Sequence, residues 1–332
     1  MSQPVVAEFV RSGIVEGHHY GCVVALDPEG SVAWSVGDVT RPMLPRSSNK
    51  PLQAIAMVRA GLDLPPELLS LSTASHSGEE FHVAGVRRIL AGAGLDESAL
   101  QTPADLPEDD DARVTVLRSG GGPSSILMNC SGKHASMLAT CVVNGWDTAT
   151  YLDPEHPLQR AIIATFIEYT GEPTDVAVDG CGAPLLSTST QALARAFGLI
   201  ARGVDGEGAA HDPARRVAEA IRLFPLNVSG TKRDEAVLIG AVPGLIAKGG
   251  AEGCYAVALP DGRAWALKID DGAERARGPL MAAALERSGV AAEVGVDVEA
   301  LRRSGTEILL GGGRPVGEVR AVWPTISKQS GS

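Results

Sequence analysis

A serine and a lysine stand three residues apart in the segment 46–51, RSSNKP. Residues with this spacing share one face of a helix, so the Lys50 amine can point at the Ser47 hydroxyl. A neutral lysine can act as a base toward serine, because burial disfavours the charged form and lowers the pKa of the amine. Pro51 is tolerated only near a helix start, which places Ser47 where backbone N–H groups favour an oxyanion. The spacing makes Ser47 a candidate nucleophile and Lys50 its candidate base.

The same spacing also has a purely structural interpretation. Ser47 or Ser48 can be a helix N-cap, with Lys50 on the surface. A second S-x-x-K copy stands at residues 229–232, SGTK. The motif alone therefore does not decide between the two interpretations.

The segment 73–79, TASHSGE, offers further hydroxyl groups beside a histidine. It follows the apolar run 68–71 and precedes a helix-like segment that starts at Glu80. Such an element end can deliver Ser75 to a cleft, where a second hydroxyl relays a proton to a leaving amine. The alternative is a local turn in which Ser75 caps the next helix.

Cysteines and a histidine occur beside glycines in residues 129–134, NCSGKH, and 179–182, DGCG. Thiolate and imidazole are groups that bind zinc. No C-x-x-C pair is present, so a zinc finger is excluded. S-G-K lacks the preceding G-x-x-x-x-G frame, which excludes a P-loop. The structural alternative is two small buried cysteines in tight turns.

A lysine followed by two glycines stands at residues 248–250, before a pattern typical of a β-hairpin. Glycines beside a sheet edge let the backbone approach a ligand closely, while Lys248 supplies a cation. The alternative is a helix C-terminus with Lys248 on the helix dipole and Gly249 as its cap.

Strand patterns at both chain ends and helical patterns between them must position these residues. Strands are predicted at 21–26, 31–36, 254–259, 263–269 and 316–322, and helices at 51–62, 134–144, 157–170, 184–202, 213–224 and 274–288. This order predicts an α/β (α+β) fold, with one antiparallel sheet built from both chain ends, helices packed on it and a helical insertion. We expect one domain over 1–324 and a frayed tail over 325–332. The acidic stretch 105–111 is predicted to be a solvated loop.

Composition excludes several classes of partner. The 332 residues are 44% hydrophobic and carry a formal charge of −11, which argues against nucleic acid as a partner. Five cysteines, an odd and sparse set, indicate a reducing, cytoplasmic compartment and no disulfide framework. The first residues lack a signal-peptide pattern, and no apolar run of about 20 residues predicts a membrane span.

Taken in order, these segments resemble the Rhizobium-type (class 3) L-asparaginases, the asparaginase II family. The matching phrases lie between residue 13 and about residue 270, and they are GIVE at 13–16, RSxxKP at 46–51, ASHS at 74–77, NCSGKH at 129–134, DGC at 179–181 and KG at 248–249 before YA at 255–256.

The resemblance implies a serine β-lactamase-like fold and the hydrolysis of L-asparagine to L-aspartate and ammonia. It also implies two Ser-Lys pairs, a set of zinc ligands and a set of substrate contacts. The pairs are Ser47 with Lys50 and Ser75 with Lys248. One zinc ion would be held by Cys130, Lys133 and Cys181, and we expect it to tune substrate binding rather than to be essential. The substrate's α-amino group would contact Asp179, and Arg46, His134 and Gly249 would be further substrate contacts. We also expect a homodimer.

Two segments depart from the family pattern. The stretch 101–111 is acidic and lacks an expected Gly-His-Pro phrase, and the stretch 223–234 is close to the pattern without being identical. Both departures concern the substrate range more than the nucleophile. The alternatives are another serine acylase, such as a glutaminase or a β-lactam-binding enzyme, and a non-enzymatic zinc-dependent binding protein of the same fold.

Overall fold

The structure is a computed structural model that describes residues 3–323. Its strands are β1 (Val5–Arg11), β2 (Ile14–Leu26), β3 (Val32–Val36), β4 (Pro42–Met43), β5 (Val176–Val178), β6 (Pro184–Leu186), β7 (Thr188–Ser189), β8 (Ile246–Gly250), β9 (Cys254–Ala258), β10 (Ala264–Ile269), β11 (Glu307–Gly311) and β12 (Arg314–Ala321).

One large antiparallel sheet contains the strands from both chain ends. Its order is β11-β12-β1-β2-β10-β9-β8, and β3 pairs with β2. β10 lies against β2 with Ala264 opposite Leu26 and Ile269 opposite Gly21. The prediction of an antiparallel sheet from both chain ends is therefore confirmed. Two short two-stranded sheets, β4 with β7 and β5 with β6, lie outside this sheet.

Twelve α-helices in the described range lie between and beside the strands. They are α1 (Lys50–Arg59), α2 (Pro66–Ser72), α3 (Glu80–Gly92), α4 (Asp110–Arg118), α5 (Ser131–Asn144), α6 (Pro157–Thr170), α7 (Thr190–Arg202), α8 (Asp212–Leu223), α9 (Pro225–Val228), α10 (Asp234–Ala241), α11 (Arg277–Arg287) and α12 (Val298–Ser304).

The centre of the sheet is covered on both faces. Successive strand residues point to opposite faces, and every residue of β9 is buried. α7 packs on β2, β9 and β10, and α11 also packs on β10. β8, which carries the lysine-glycine segment at the end of this sheet, is also buried at all five residues.

Several predicted helices differ from the structure at their ends: α5 begins at Ser131 rather than at 134, and α11 begins at Arg277 rather than at 274. The helix predicted at 184–202 begins only at Thr190, because the Ser189 hydroxyl caps it by accepting a hydrogen bond from the Ala192 N–H, and residues 184–186 form a strand instead. α1 ends at Arg59 rather than at 62, since Gly61 adopts a left-handed conformation with φ of 94°. The predicted tail, 325–332, lies outside the described residues.

No helix within residues 3–323 is long and apolar enough to cross a membrane.

Candidate active site

A cleft of about 420 Å³ opens where β8 meets the chain segments that carry the predicted serines. Four predicted site residues lie on its surface: Ser47, Ser75, Lys248 and Gly249. The further lining residues are mostly polar or charged, and they are Ser77, Glu108, Asp109, Asp110, Asn129, Lys232, Arg233, Glu235, Gly250, Ala251, Glu274 and Arg277.

Ser47 lies in a short 3₁₀ turn, Arg46–Asn49, that leads directly into α1. The backbone of this turn touches β8, since a Cβ atom added at Gly250 would lie 2.5 Å from the Pro45 carbonyl oxygen. Arg46 has a φ of 51°, a left-handed conformation that is costly for a residue with a side chain. Backbone strain of this kind clusters at functional sites, and here it stands directly before the proposed nucleophile.

The Lys50 amine is buried beneath the cleft and is hydrogen-bonded to the second serine. Its Nζ donates to the Ala74 carbonyl oxygen at 2.6 Å, to Ser75 Oγ at 2.9 Å and to Cys130 Sγ at 3.1 Å. Within residues 3–323, no hydrogen bond joins Lys50 to the Ser47 hydroxyl. The contacts thus link Lys50 with Ser75, whereas the sequence motif suggested a direct contact with Ser47.

Ser75 lies on an extended segment fixed by backbone hydrogen bonds. The Ser75 N–H donates to the Val228 carbonyl at 3.0 Å, and the Ser77 N–H donates to the Ser229 carbonyl at 2.8 Å. Ser229, from the second S-x-x-K copy, therefore supports this segment through its backbone. Its own side chain is buried outside the cleft lining.

Lys248, on β8, is paired with a carboxylate rather than with Ser75. Its Nζ lies 3.2 Å from Glu235 Oε1 and donates to the Gly249 carbonyl oxygen at 2.9 Å. Burial lowers the pKa of Lys248 to about 8, although the Glu235 charge opposes that shift. A substantial neutral fraction of this amine is therefore present at mildly alkaline pH, as a base requires.

The three predicted metal ligands come together in one buried cluster beside the cleft. Lys133 Nζ donates to Cys181 Sγ at 3.1 Å, and Lys50 Nζ reaches Cys130 Sγ at the same distance. The hydrogen bond from Cys130 lowers the pKa of the Cys181 thiol, and Lys133 lowers it further. The same hydrogen bond, together with burial, raises the pKa of Cys130. Of the two thiols, Cys181 therefore loses its proton more readily.

Two thiolate sulfurs and a lysine nitrogen form a donor set that suits zinc. Only the two cysteines of this set are common metal ligands, because lysine seldom binds zinc. Within the described range, no group of three or more His, Cys, Asp or Glu side chains could hold a metal ion. Any metal in this cluster would therefore need the Lys133 amine as a ligand.

The remaining predicted contacts, Arg46, Asp179 and His134, lie outside the cleft lining. Arg46 Nε donates to Asp179 Oδ1 at 2.8 Å, which orients both side chains next to the cysteine cluster. His134 Nδ1 lies 2.7 Å from the Tyr151 hydroxyl. Burial and the Lys133 charge lower the pKa of His134 to about 4, so the imidazole is neutral at physiological pH.

The sequence model of the L-asparaginase II family matches residues 7–321. The chain belongs to this family. It is accordingly a hydrolytic amidase, and the predicted family is confirmed. No curated protein matches the sequence.

Two solved structures show distant similarity to this asparaginase-family chain. A β-lactamase, Mb2281c from Mycobacterium bovis, is 16% identical, with a TM-score of 0.46 and coverage of 81% of this chain and 95% of that one. A Bacillus glutaminase is 10% identical, with a TM-score of 0.46 and coverage of 81% and 91%. At these values neither similarity bears on the reaction of this chain.

The asparaginase-family cleft also contains charged residues that the sequence motifs did not indicate. Glu235 and Arg277 line the cleft, and Glu108, which also lines it, forms an ion pair with Arg233. The acidic stretch predicted to be a solvated loop is largely exposed, but its residues 108–110 also line the cleft.

The two segments that depart from the family pattern meet each other at this mouth. Lys232 Nζ lies 2.7 Å from Asp109 and 2.6 Å from Asp111, across more than a hundred residues of sequence. The opposite charges of residues 105–111 and 231–233 were the only signal in the sequence for this contact.

Proposed function

We propose that the chain hydrolyses L-asparagine to L-aspartate and ammonia through an acyl-enzyme intermediate on Ser47. The observation that carries the proposal is the joint placement of two hydroxyls and two lysines at one cleft. Ser47, Ser75 and Lys248 line the cleft, and the buried Lys50 amine donates a hydrogen bond to Ser75 Oγ.

In the acylation step, Ser47 Oγ bonds to the side-chain amide carbon and its proton passes to a lysine amine. The C–N bond then breaks, and a proton is delivered to the departing nitrogen, which leaves as ammonia. Because Ser75 Oγ is 2.9 Å from Lys50 Nζ, the Ser75 hydroxyl can carry this proton. The direct approach of Lys50 to Ser47 belongs to the substrate-bound state, since catalytic hydrogen bonds often tighten only there.

In the deacylation step, water attacks the ester carbon, its proton passes to the same amines, and the Ser47 oxygen recovers a proton as L-aspartate leaves. The N–H groups at the start of the turn that leads into α1 are the proposed oxyanion donors, because the first N–H groups of a helix have no partner within it. Gly249 and Gly250 line the cleft opposite this turn, and the Gly249 N–H is already donated to Glu235.

The proposed recognition of the substrate uses charges of both signs. Asp179, held by Arg46, would take the α-amino group, as the family resemblance implies. The cations at the cleft, Lys232, Arg233 and Arg277, are each paired with a carboxylate of the chain, and the substrate's α-carboxylate would share one of them. His134, being neutral, would act through a hydrogen bond rather than through charge.

We also propose that Cys130, Lys133 and Cys181 hold one zinc ion. The convergence of these side chains supports this assignment. When bound, zinc would supply positive charge and local order near the substrate. The reaction itself is assigned to the serines and lysines, so the metal tunes binding rather than catalysing the step.

Homodimerisation and a cytoplasmic location complete the proposal. The five cysteines are all free and buried, which suits a reducing compartment. Light scattering of the purified protein tests the dimer, which a mass of 34.3 kDa in solution would contradict.

The test of the proposed function is ammonia release from L-asparagine and L-glutamine, with β-lactam hydrolysis assayed on the same preparation. Asparagine is expected to give the highest kcat/KM. A preference for glutamine or for the β-lactam would assign the chain to another serine acylase. No turnover of any of the three, with zinc bound, would favour the binding protein.

A further inference from the structure

Glu235 is a buried carboxylate in the cleft to which the sequence motifs and the proposed mechanism give no role. It lies on α10, in the second position of that helix, and is only 4% exposed. Oε1 and Oε2 lie 3.2 and 3.4 Å from Lys248 Nζ, and the Gly249 N–H also donates to Oε1. One carboxylate thus contacts both the amine of Lys248 and the backbone of the next residue.

We propose that Glu235 is a positioning residue that holds Lys248 in the cleft and sets the pH at which its amine loses a proton. This inference rests on the proposed role of Lys248 in the hydrolysis. Within residues 3–323, no hydrogen bond joins Glu235 to Ser47 or Ser75, and its hydrogen bonds go to Lys248 and to the Gly249 N–H.

The close approach of α10 to β8 fixes this geometry. A Cβ atom added at Gly249 would lie 2.3 Å from Glu235 Oε1 and 2.7 Å from the Arg277 guanidinium. A side chain at this position would force the Glu235 carboxylate and the Arg277 guanidinium to shift. The pair is therefore built into the packing of the two elements.

Charged groups face the Lys248 amine from three elements. Glu235 approaches from α10, Lys50 from α1 and Arg277 from α11. Arg277 is itself paired with Asp234, its Nη2 donating to Oδ1 at 3.0 Å. The group of Asp234, Glu235, Lys248 and Arg277 is therefore neutral overall while Lys248 is protonated, and it gains a net negative charge when Lys248 loses its proton.

Glu235 opposes the other influences on the amine. Burial lowers the pKa of Lys248 most, and the Lys50 and Arg277 charges lower it too, whereas Glu235 raises it. Burial alone would raise the pKa of Glu235, but the charges of Lys248, Arg277 and Arg233 more than compensate and keep it ionised. Removing the carboxylate charge should let Lys248 deprotonate at lower pH.

Glu235→Gln keeps the size and the carbonyl acceptor for the Gly249 N–H and removes only the charge. The acidic limb of kcat/KM against pH should move to lower pH by about one unit or more, the usual effect of an opposite charge at this range. Glu235→Asp, which retains a carboxylate, should keep the limb near its wild-type position while lowering kcat. Asp234→Asn, which removes the adjacent charge from Arg277, should shift the limb less than Glu235→Gln.

A purely structural role predicts a different result. In that case Glu235→Gln lowers activity equally at every pH, the limb stays in place, and the proposal is overturned. Thermal unfolding of each variant shows whether it is folded. If Glu235→Gln is not folded, the pH profile of Glu235→Asp is compared with that of the wild type instead.

A second measurement separates this inference from the proposed nucleophile. Trace acetylation by acetic anhydride reports the neutral fraction of Lys248 by peptide mass spectrometry, and it is run on the Ser47→Ala background, where no turnover is needed. The midpoint of Lys248 labelling should fall by about one pH unit or more in Glu235→Gln. An unmoved midpoint overturns the role of Glu235 whatever the role of Ser47, whereas an active Ser47→Ala with a moved midpoint overturns only the nucleophile.

Discussion

The side-chain contacts at the cleft assign different environments to the two lysines. Lys50 contacts a hydroxyl, a carbonyl and a thiol, whereas Lys248 contacts a carboxylate. Lys50 is therefore placed to exchange a proton with Ser75, and Lys248, whose pKa burial lowers to about 8, is placed to accept a proton at mildly alkaline pH. The proposed nucleophile, Ser47, lines the same cleft as Lys248.

Replacing Ser47 by alanine should abolish hydrolysis and leave folding intact. Loss of a serine nucleophile costs on the order of 10⁶ in kcat where it has been measured in another fold. The matched control is Ser229→Ala, from the second S-x-x-K copy, whose side chain lies outside the cleft lining and which should stay close to wild type. Asparaginase assays with circular dichroism provide the comparison, and more than a few per cent of activity in a folded Ser47→Ala protein would remove Ser47 from the mechanism.

Activity should rise with pH through an apparent pKa near 8, because burial lowers the pKa of Lys248 to about 8 and only its neutral form can accept a proton. Since the pKa is lowered, the active form is present above that pH and is lost as the pH falls below it. Lys248→Arg, which stays protonated, should lose this rise. The measurement is kcat/KM from pH 6 to 10, and a flat profile or an acid optimum would contradict a lysine base.

At the scale of elements, the contact between β8 and the turn that carries Ser47 depends on Gly250. Gly250→Ala would place a methyl group 2.5 Å from the Pro45 carbonyl oxygen and about 3.0 Å from the Ser48 amide nitrogen. We expect a loss of about 1–3 kcal/mol in the free energy of unfolding from the forced backbone shift. Activity should fall by more than this loss of stability explains, since displacement of a nucleophile by about 1 Å can cost 10²-fold.

The control is Gly240→Ala in α10, where no atom lies within 4 Å of an added Cβ. This exposed helical site should gain up to about 1 kcal/mol. Urea unfolding and kcat are measured for both variants. Equal stability and equal kcat for Gly250→Ala would show that the turn is not held by β8.

The elements that the sequence predicted well are those with strong local signals. The hairpin of β9 and β10 follows from apolar runs on either side of a Pro-Asp-Gly turn, and it is confirmed. The region 184–189 was misassigned, because its two short strands are held by partners remote in sequence: Ser189 Oγ donates to Glu172 at 2.8 Å, and β6 pairs with β5. No local periodicity can reveal such contacts.

The same distinction applies to the site. Ser47, Ser75 and Lys248 stood in recognisable phrases, and the structure brings all three to one cleft. Glu235 stood in no phrase, because its role depends on the approach of α10 to β8. The contact of Lys50 with Ser75 likewise depends on tertiary packing, whereas the motif could give only the spacing to Ser47.

At the scale of the whole molecule, the cysteine cluster joins parts of the chain that are distant in sequence. Cys130 and Lys133 stand at the start of α5, and Cys181 lies in the turn between β5 and β6. A metal held there would stabilise that junction, and its binding would require deprotonated thiols. Because Cys130 holds its proton, as its raised pKa shows, metal affinity should fall with decreasing pH.

Removing zinc with a chelator should raise KM and lower Tm while largely preserving kcat. Cys141→Ala is the matched control, because Cys141 is a buried cysteine outside the cluster and should not change zinc content. Metal analysis, calorimetry and steady-state kinetics are run on the same samples. Complete loss of kcat that zinc restores would show metal-dependent catalysis, and full activity of Cys130→Ala and Cys181→Ala without metal would leave both cysteines as core residues.

The central claim is that Ser47 forms the covalent bond to the substrate. The most direct measurement is to treat the protein with 5-diazo-4-oxo-L-norvaline, the electrophilic analogue of asparagine, and to locate the adduct by peptide mass spectrometry. We predict one adduct per chain on Ser47, which disappears in Ser47→Ala and is prevented by excess L-aspartate. An adduct on Ser75 that persists in Ser47→Ala, in a protein that turns over asparagine, would contradict the account.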